Sequence, residues 1–113
     1  MDNCLFCKIL KGEIPSSKVY ENDYVYAFRD INPQAPVHVL VVPKKHLSSL
    51  NETDRADDRE LAACLRAIRV IAEQEKLEEG YRVVSNCGSD ACQSVPHLHF
   101  HILGGRKMGE QMV

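Results

Sequence analysis

The sequence predicts an α+β domain, with residues 1–113 as one unit: an antiparallel sheet of about five strands, one long helix and a short N-terminal helix. Three observations point there. Five short stretches rich in aliphatic, aromatic and β-branched residues are separated by Gly, Pro, Asn and Asp clusters. One stretch, from about Thr53 to Leu77, switches to a helical period. The strands follow one another mostly in hairpin order, which favours antiparallel pairing over the parallel sheet of an alternating βαβ chain.

Each element has a local reason. Cys4 to Lys11 has room for one or two helical turns and stops at Gly12. Ile14-Pro15 leads into a strand at Lys18–Glu21, Asn22-Asp23 supplies turn chemistry, and Tyr24–Arg29 completes a hairpin. Asn32-Pro33-Gln34-Ala35-Pro36 breaks the chain again. His38–Val42 is a near-continuous apolar run closed by Pro43, the pattern of a strand buried on both faces. In the long helix, Leu61, Leu65, Ile68 and Ala72 recur at three and four residues and are expected to face the sheet. Asp54, Asp57 and Asp58 cluster near its start, where the helix dipole favours negative charge, and Gly80 is placed to close its end. A strand at Tyr81–Ser85, a polar loop at Asn86–Ser94 and a last strand at Leu98–Leu103, stopped by Gly104-Gly105, complete the chain. Cys64, Ala67 and Ile71, with the strand Tyr81–Ser85, leave apolar surface unaccounted for, which points to a second subunit.

Composition narrows the function. Hydrophobic residues make up 44% and charged residues 27%, the balance of an ordinary globular domain. With 14 basic and 16 acidic side chains the net charge is −2, so no basic field exists to hold nucleic acid. No apolar run approaches the roughly 18–20 residues that cross a bilayer. Met1-Asp2-Asn3-Cys4 has neither the basic head nor the apolar stretch of a signal peptide. A cytoplasmic domain without nucleic-acid or membrane partners is expected. The five cysteines (Cys4, Cys7, Cys64, Cys87, Cys92) are odd in number and scattered, so no disulfide framework is implied.

The histidines carry the chemistry. From His97 to Ile102 imidazoles and apolar residues alternate. On a strand, His97, His99 and His101 face one way and Leu98, Phe100 and Ile102 the other, the rings spread along about 13 Å. Pro96 fits as a first strand residue. His38 opens another buried run, which a neighbouring strand can bring to the same face. Three readings are open: a solvated polar face, a three-imidazole metal site, and histidines acting as nucleophile and proton handlers. Rings spread along one straight strand are too far apart to share an ion at about 2.0–2.1 Å, and chance alternation beside an apolar set is rare. The third reading is favoured.

His97 to Leu103 matches His-φ-His-φ-His-φ-φ, with φ apolar, and on this motif the chain resembles the histidine-triad (HIT) superfamily. Glu13-Ile14-Pro15, the run Phe28 to Pro36, and Val42-Pro43-Lys44-Lys45-His46 are similar to its Hint branch, the histidine-triad nucleotide-binding proteins. So are Gly88-Ser89-Asp90, Gln93-Ser94-Val95 and Gly104-Gly105-Arg106, the last unlike Fhit-type dinucleoside polyphosphate hydrolases. The resemblance covers nearly the whole chain. It implies a single HIT domain whose sheet joins that of a second copy in a homodimer. It also implies a purine nucleoside phosphoramidase, which cleaves the P–N bond of adenosine or guanosine 5′-phosphoramidates through a nucleotidyl-histidine.

Carried over residue by residue, the resemblance makes His99 the nucleophile, its other ring nitrogen fixed by a backbone carbonyl. It places His101 and His38 on phosphate oxygens, Ser94 on the phosphate or leaving group, and Asn86 and Gln93 around the phosphate. Asp30 would hold the ribose; Phe6, Ile9, Ile14, Phe28 and Ile31 would wall the purine. The alternatives are dinucleoside polyphosphate hydrolysis, nucleotidyl transfer, and a non-catalytic nucleotide-binding scaffold. Lys44, Lys45, Arg106 and Lys107 read as solvated surface. Cys4-x-x-Cys7 alone reads as two small buried side chains. Resemblance to zinc-containing bacterial members implies a structural zinc on Cys4, Cys7, His46 and His97, and no organic cofactor. Two departures stand out: Cys92 occupies a place where the Hint pattern has glycine, and the short C-terminus carries no tryptophan.

Overall fold

In the computed structural model, which describes residues 3–113, five strands form one sheet in the order β1-β2-β3-β5-β4, every neighbouring pair antiparallel. They are β1 (Lys18–Glu21), β2 (Val25–Arg29), β3 (Val37–Pro43), β4 (Tyr81–Val84) and β5 (Phe100–Gly104). Two α-helices accompany them, α1 (Leu5–Leu10) and α2 (Asp58–Gln74). Met1 and Asp2, part of the N-terminal stretch judged above for a signal peptide, lie outside the described residues. No helix among the described residues is long and apolar enough to cross a membrane.

The central strand β3 is apolar throughout because it is covered on both faces. Val39 and Val41 join Val25, Ala27 and Ile102 beneath α2. Leu40 and Val42, of opposite parity, pack with Phe28 under α1 through Phe6, Cys4 and Cys7. His38 shares the α1 face. Leu40 pairs with His101 across β3 and β5, so His38 and His101 become diagonal neighbours on that same face.

The long helix differs from its expected form. Leu50–Arg55 is a 3-10 segment, and α2 begins after Asp57. The cause is a capping box: the Asp57 carboxylate accepts from Glu60 N–H, and the Glu60 carboxylate accepts from Asp57 N–H. Asp57→Ala should therefore cost about 1 kcal/mol, read as a lower urea midpoint at unchanged slope. Gly80 does not close the helix. Lys76 takes the left-handed position (φ 60°), and Leu77 N–H reaches back to Ala72 O at 3.0 Å, a Schellman ending. Leu77 is thereby turned into the core, against Gly104, where a Cβ would come within 2.9 Å of it.

The buried face of α2 is Cys64, Ala67, Ile68, Ile71 and Ala72; Leu65 is 61% exposed and Leu61 only half-buried. Small side chains let the helix sit close to the sheet, so Cys64 and Ala67 take the inward positions that leucines were expected to hold. These residues are core and leave no apolar surface over. Of the large apolar side chains on α2 and the edge strand β4, Leu65, Tyr81 and Val83 stay exposed.

The triad segment also departs from one straight strand. Laddering starts at Phe100, while Leu98 N–H bonds Leu47 O at 2.6 Å and His97 N–H bonds Val95 O at 2.8 Å. Pro96 is outside the strand. His97 and His99 are thus freed from a common face and reach separate surroundings.

Candidate active site and metal cluster

A cavity of about 440 Å³ opens between α1, the segment after it, β2 and the triad. Its apolar wall comes from Leu5, Phe6 and Ile9 of α1, from Ile14 and Pro15, and from Phe28 of β2. Its polar end holds Asp30, Ser94, His99 and His101. Ile31 lines the mouth, 92% exposed. Phe6 stands edge-on to Phe28 and to the His99 ring, centroids 5.5 and 5.0 Å apart.

Backbone groups set the His99 ring. Its Nδ1 lies 2.7 Å from the His97 carbonyl oxygen, which can only accept, so Nδ1 carries the proton and Nε2 the lone pair. The Ser85 hydroxyl donates to the His99 carbonyl at 2.8 Å and holds the main chain there. His101 is pushed down to about 4 by burial, then by the neighbouring His99 and His38, so it is neutral at pH 7. His38 is buried and does not line the cavity. Its Nδ1 accepts from Gln34 N–H at 3.0 Å, and its Nε2 lies 2.8 Å from His101 Nδ1 and 3.4 Å from Asp30 Oδ2. With both ring nitrogens occupied inside the protein, His38 has none to offer a phosphate oxygen directly. Burial also holds its pKa below the usual histidine value, against the pull of Asp30.

The other expected residues separate. Asp30 lines the cavity and accepts from Asn32 N–H through Oδ1 at 2.8 Å. Ser94 is in place. Asn86 and Gln93 do not line the cavity. Gln93 instead fastens its loop, donating to Ser48 O and Val95 O and accepting from Gly88 N–H. Leu5, Pro15, Ser16, Ser17, Arg29, Asn32, Leu40 and Val95 also line the cavity and were not among the expected site residues. Leu5 was legible, since it stands four residues before Ile9 on the same short helix. Cys92 has φ 57°, in the left-handed region, which gives a physical reason for glycine in the Hint pattern at that place. Of the basic residues, Lys44 pairs with Glu21 at 2.8 Å and Lys45 approaches Glu60; none of the four lines the cavity.

Beside the cavity, Cys4, Cys7, His46 and His97 converge. Their ligand atoms all lie within 4.8 Å of one another. Cys4 Sγ and Cys7 Sγ are 3.3 and 3.5 Å from His97 Nδ1; His46 Nδ1 is 3.2 Å from both Cys7 Sγ and His97 Nδ1. Ligands at about 2.0–2.3 Å from a common centre stand roughly 3.3–3.8 Å apart in a tetrahedron, close to these four separations. His97 Nε2–H donates to Pro43 O at 3.0 Å, leaving Nδ1 as a lone pair aimed into the cluster. Burial, with the Cys4 thiol beside it, raises the Cys7 pKa, so two thiolates here require a cation. The donor set fits zinc, and α1 is what holds it: Cys4 caps the helix, accepting from Cys7 N–H.

Known proteins place this architecture. The HIT-domain profile matches residues 11–108. A "14 kDa zinc-binding protein" of Zea mays is 52% identical over 92% of this chain and 83% of its own length. "Adenylylsulfatase HINT1" of Arabidopsis thaliana is 47% identical over 92% of this chain and 72% of its own. The "purine nucleoside phosphoramidase" of Escherichia coli K12 is 40% identical over 98% and 94%. Among solved structures, a HIT family hydrolase from Clostridium thermocellum superposes with a TM-score of 0.95 at 45% identity, covering 100% of this chain and 99% of that one.

Proposed function

This chain belongs to the HIT family, and on that premise we propose that it is a purine nucleoside phosphoramidase working through a nucleotidyl-histidine. The observation that carries the reading is the His99 tautomer, a lone pair at Nε2 on a ring that lines the cavity. With a nucleoside seated against Phe6, Ile9 and Phe28 and its ribose at Asp30, the α-phosphorus reaches the histidines. Nε2 of His99 attacks phosphorus, the P–N bond breaks, and its electron pair leaves with the amine, which is protonated from solvent. The imidazolium so formed keeps its Nδ1–H on the His97 carbonyl, which stabilises the charge. Water then attacks phosphorus and gives up a proton to solvent, the P–Nε2 bond breaks, and nucleoside monophosphate is released with neutral His99 regenerated.

The Arabidopsis relative's name gives a second reading, cleavage of an adenylyl sulfate, in which sulfate leaves in place of the amine. Turnover of an adenosine phosphoramidate, adenylyl sulfate and a diadenosine polyphosphate, measured side by side, separates them. The phosphoramidate is expected to have the highest kcat/KM. Preference for adenylyl sulfate selects the second reading, and preference for the dinucleotide overturns both.

Zinc would be held by Cys4, Cys7, His46 and His97, all four positions filled by protein, so it supplies structure and no reacting water. We place the protein in a reducing cytoplasm, in keeping with its five free cysteines. It is expected to be a homodimer joined through the outer edge of β4, where Tyr81 and Val83 are 41% and 40% exposed. Sedimentation at micromolar concentration should show a dimer; a monomer alone would overturn this.

A further inference from the structure

We propose that His38 is a positioning residue that sets the tautomer of His101, and that the main-chain N–H of Gln34 is what fixes it. The purpose of the device rests on the phosphoramidase reading; its geometry does not. Gln34 N–H donates to His38 Nδ1 at 3.0 Å, so Nδ1 holds a lone pair and neutral His38 carries its proton at Nε2. Two acceptors face that proton, His101 Nδ1 at 2.8 Å and Asp30 Oδ2 at 3.4 Å. The nearer takes the bond. His101 Nδ1 therefore holds a lone pair, and its own proton is driven to Nε2, the ring nitrogen left for the cavity.

His99 is fixed the opposite way, Nδ1–H on the His97 carbonyl. Two rings with centroids 5.1 Å apart thus present unlike groups: a lone pair from His99 and an N–H from His101. Attack on phosphorus needs the first, and stabilisation of a phosphoryl oxygen needs the second. Neither ring makes this choice itself.

The segment before β3 is built to hold the relay. Pro33 and Pro36 flank Gln34-Ala35 and restrict the backbone from which Gln34 N–H donates. Asp30 N–H donates to His38 O at 3.0 Å, and Asn32 N–H ties the Asp30 side chain back at 2.8 Å, closing the loop around the ring. The atoms of Asp30, His38 and His101 also lie close enough to hold a cation. Coordination through His38 Nε2 would need that nitrogen bare while Nδ1 still accepts from Gln34, a doubly deprotonated ring. The hydrogen-bond chain wins.

Long-range 1H–15N spectra of histidine-labelled, zinc-loaded protein test this directly. Wild type should show Nε2–H tautomers for His38 and His101 and an Nδ1–H tautomer for His99. In His38→Ala, His101 should lose its single tautomer and kcat should fall about 10–10²-fold, the size of loss seen when the partner orienting a metal-bound histidine is removed, with KM little changed. His38→Gln, whose amide offers a donor near the Nε2 position, should restore the tautomer and most of kcat. An Nδ1–H tautomer for His101 in wild type, an unchanged His101 signal in His38→Ala, or metal-shifted His38 signals would each overturn the proposal. Correct tautomers in a protein that turns over no nucleotide would instead sink the phosphoramidase reading and leave the relay standing.

Discussion

His99→Ala is expected to lower kcat by at least about 10³-fold, because it removes the only covalent route and leaves binding and electrostatics behind. The substitution opens space where Phe6 stands edge-on, centroid distance 5.0 Å, yet it lies at the cavity and outside the core under α2. Folding should therefore survive, with the circular dichroism spectrum unchanged. His101→Ala keeps the nucleophile and loses one donor to the developing charge, so the loss should be smaller, about 10–10³-fold. Wild-type protein quenched in mid-turnover should carry a nucleotidyl adduct on a His99 peptide by mass spectrometry. An adduct on His97 or His101, or near-normal turnover in His99→Ala, would overturn the assignment.

The triad itself was legible in sequence because its pattern is local, whereas the role of His99 came from the family resemblance and remains a proposal. Alternation from His97 to Ile102 marks the triad, and the acceptor at His99 Nδ1 is two residues away, the His97 carbonyl. The strands were readable for the same reason: β1 and β2 form a hairpin around Asn22, whose side chain accepts from both Tyr24 N–H and Val25 N–H. What failed to show depends on distant partners. The triad segment starts laddering only at Phe100 because Leu98 N–H is taken by Leu47, fifty-one positions earlier. The inward face of α2 was misplaced because close approach to the sheet, not hydrophobicity, selects Cys64 and Ala67 over Leu65. Gln93 stood in a phosphate loop by its neighbours in sequence, but its amide is spent on Ser48 across the fold. Even so, the start of α2 was open to reading: Asp57-x-x-Glu60 is a capping-box signature whichever residue precedes it.

Cys7→Ala should lose the zinc and destabilise the fold by roughly 4 kcal/mol or more, since the free energy of closing a four-ligand site is folding free energy. The cluster ties three distant pieces together: α1 through Cys4 and Cys7, the loop after β3 through His46, and the segment before β5 through His97. Six residues of α1 cannot hold a helix unaided, so their order depends on that anchor and on burial of Phe6. The same helix supplies Leu5, Phe6 and Ile9 to the cavity wall. Loss of the anchor should consequently raise KM for a nucleoside substrate while kcat, which the proposed mechanism assigns to His99 and His101, changes far less. Chelator-treated wild type should fall to the stability of Cys7→Ala, and chelator should do nothing further to the variant. Elemental analysis of protein purified without chelator should find about one zinc per chain. No zinc, or a Cys7→Ala variant as stable as wild type, would overturn the metal's structural role; a matched loss of kcat with stability intact would move Cys7 into the chemistry itself.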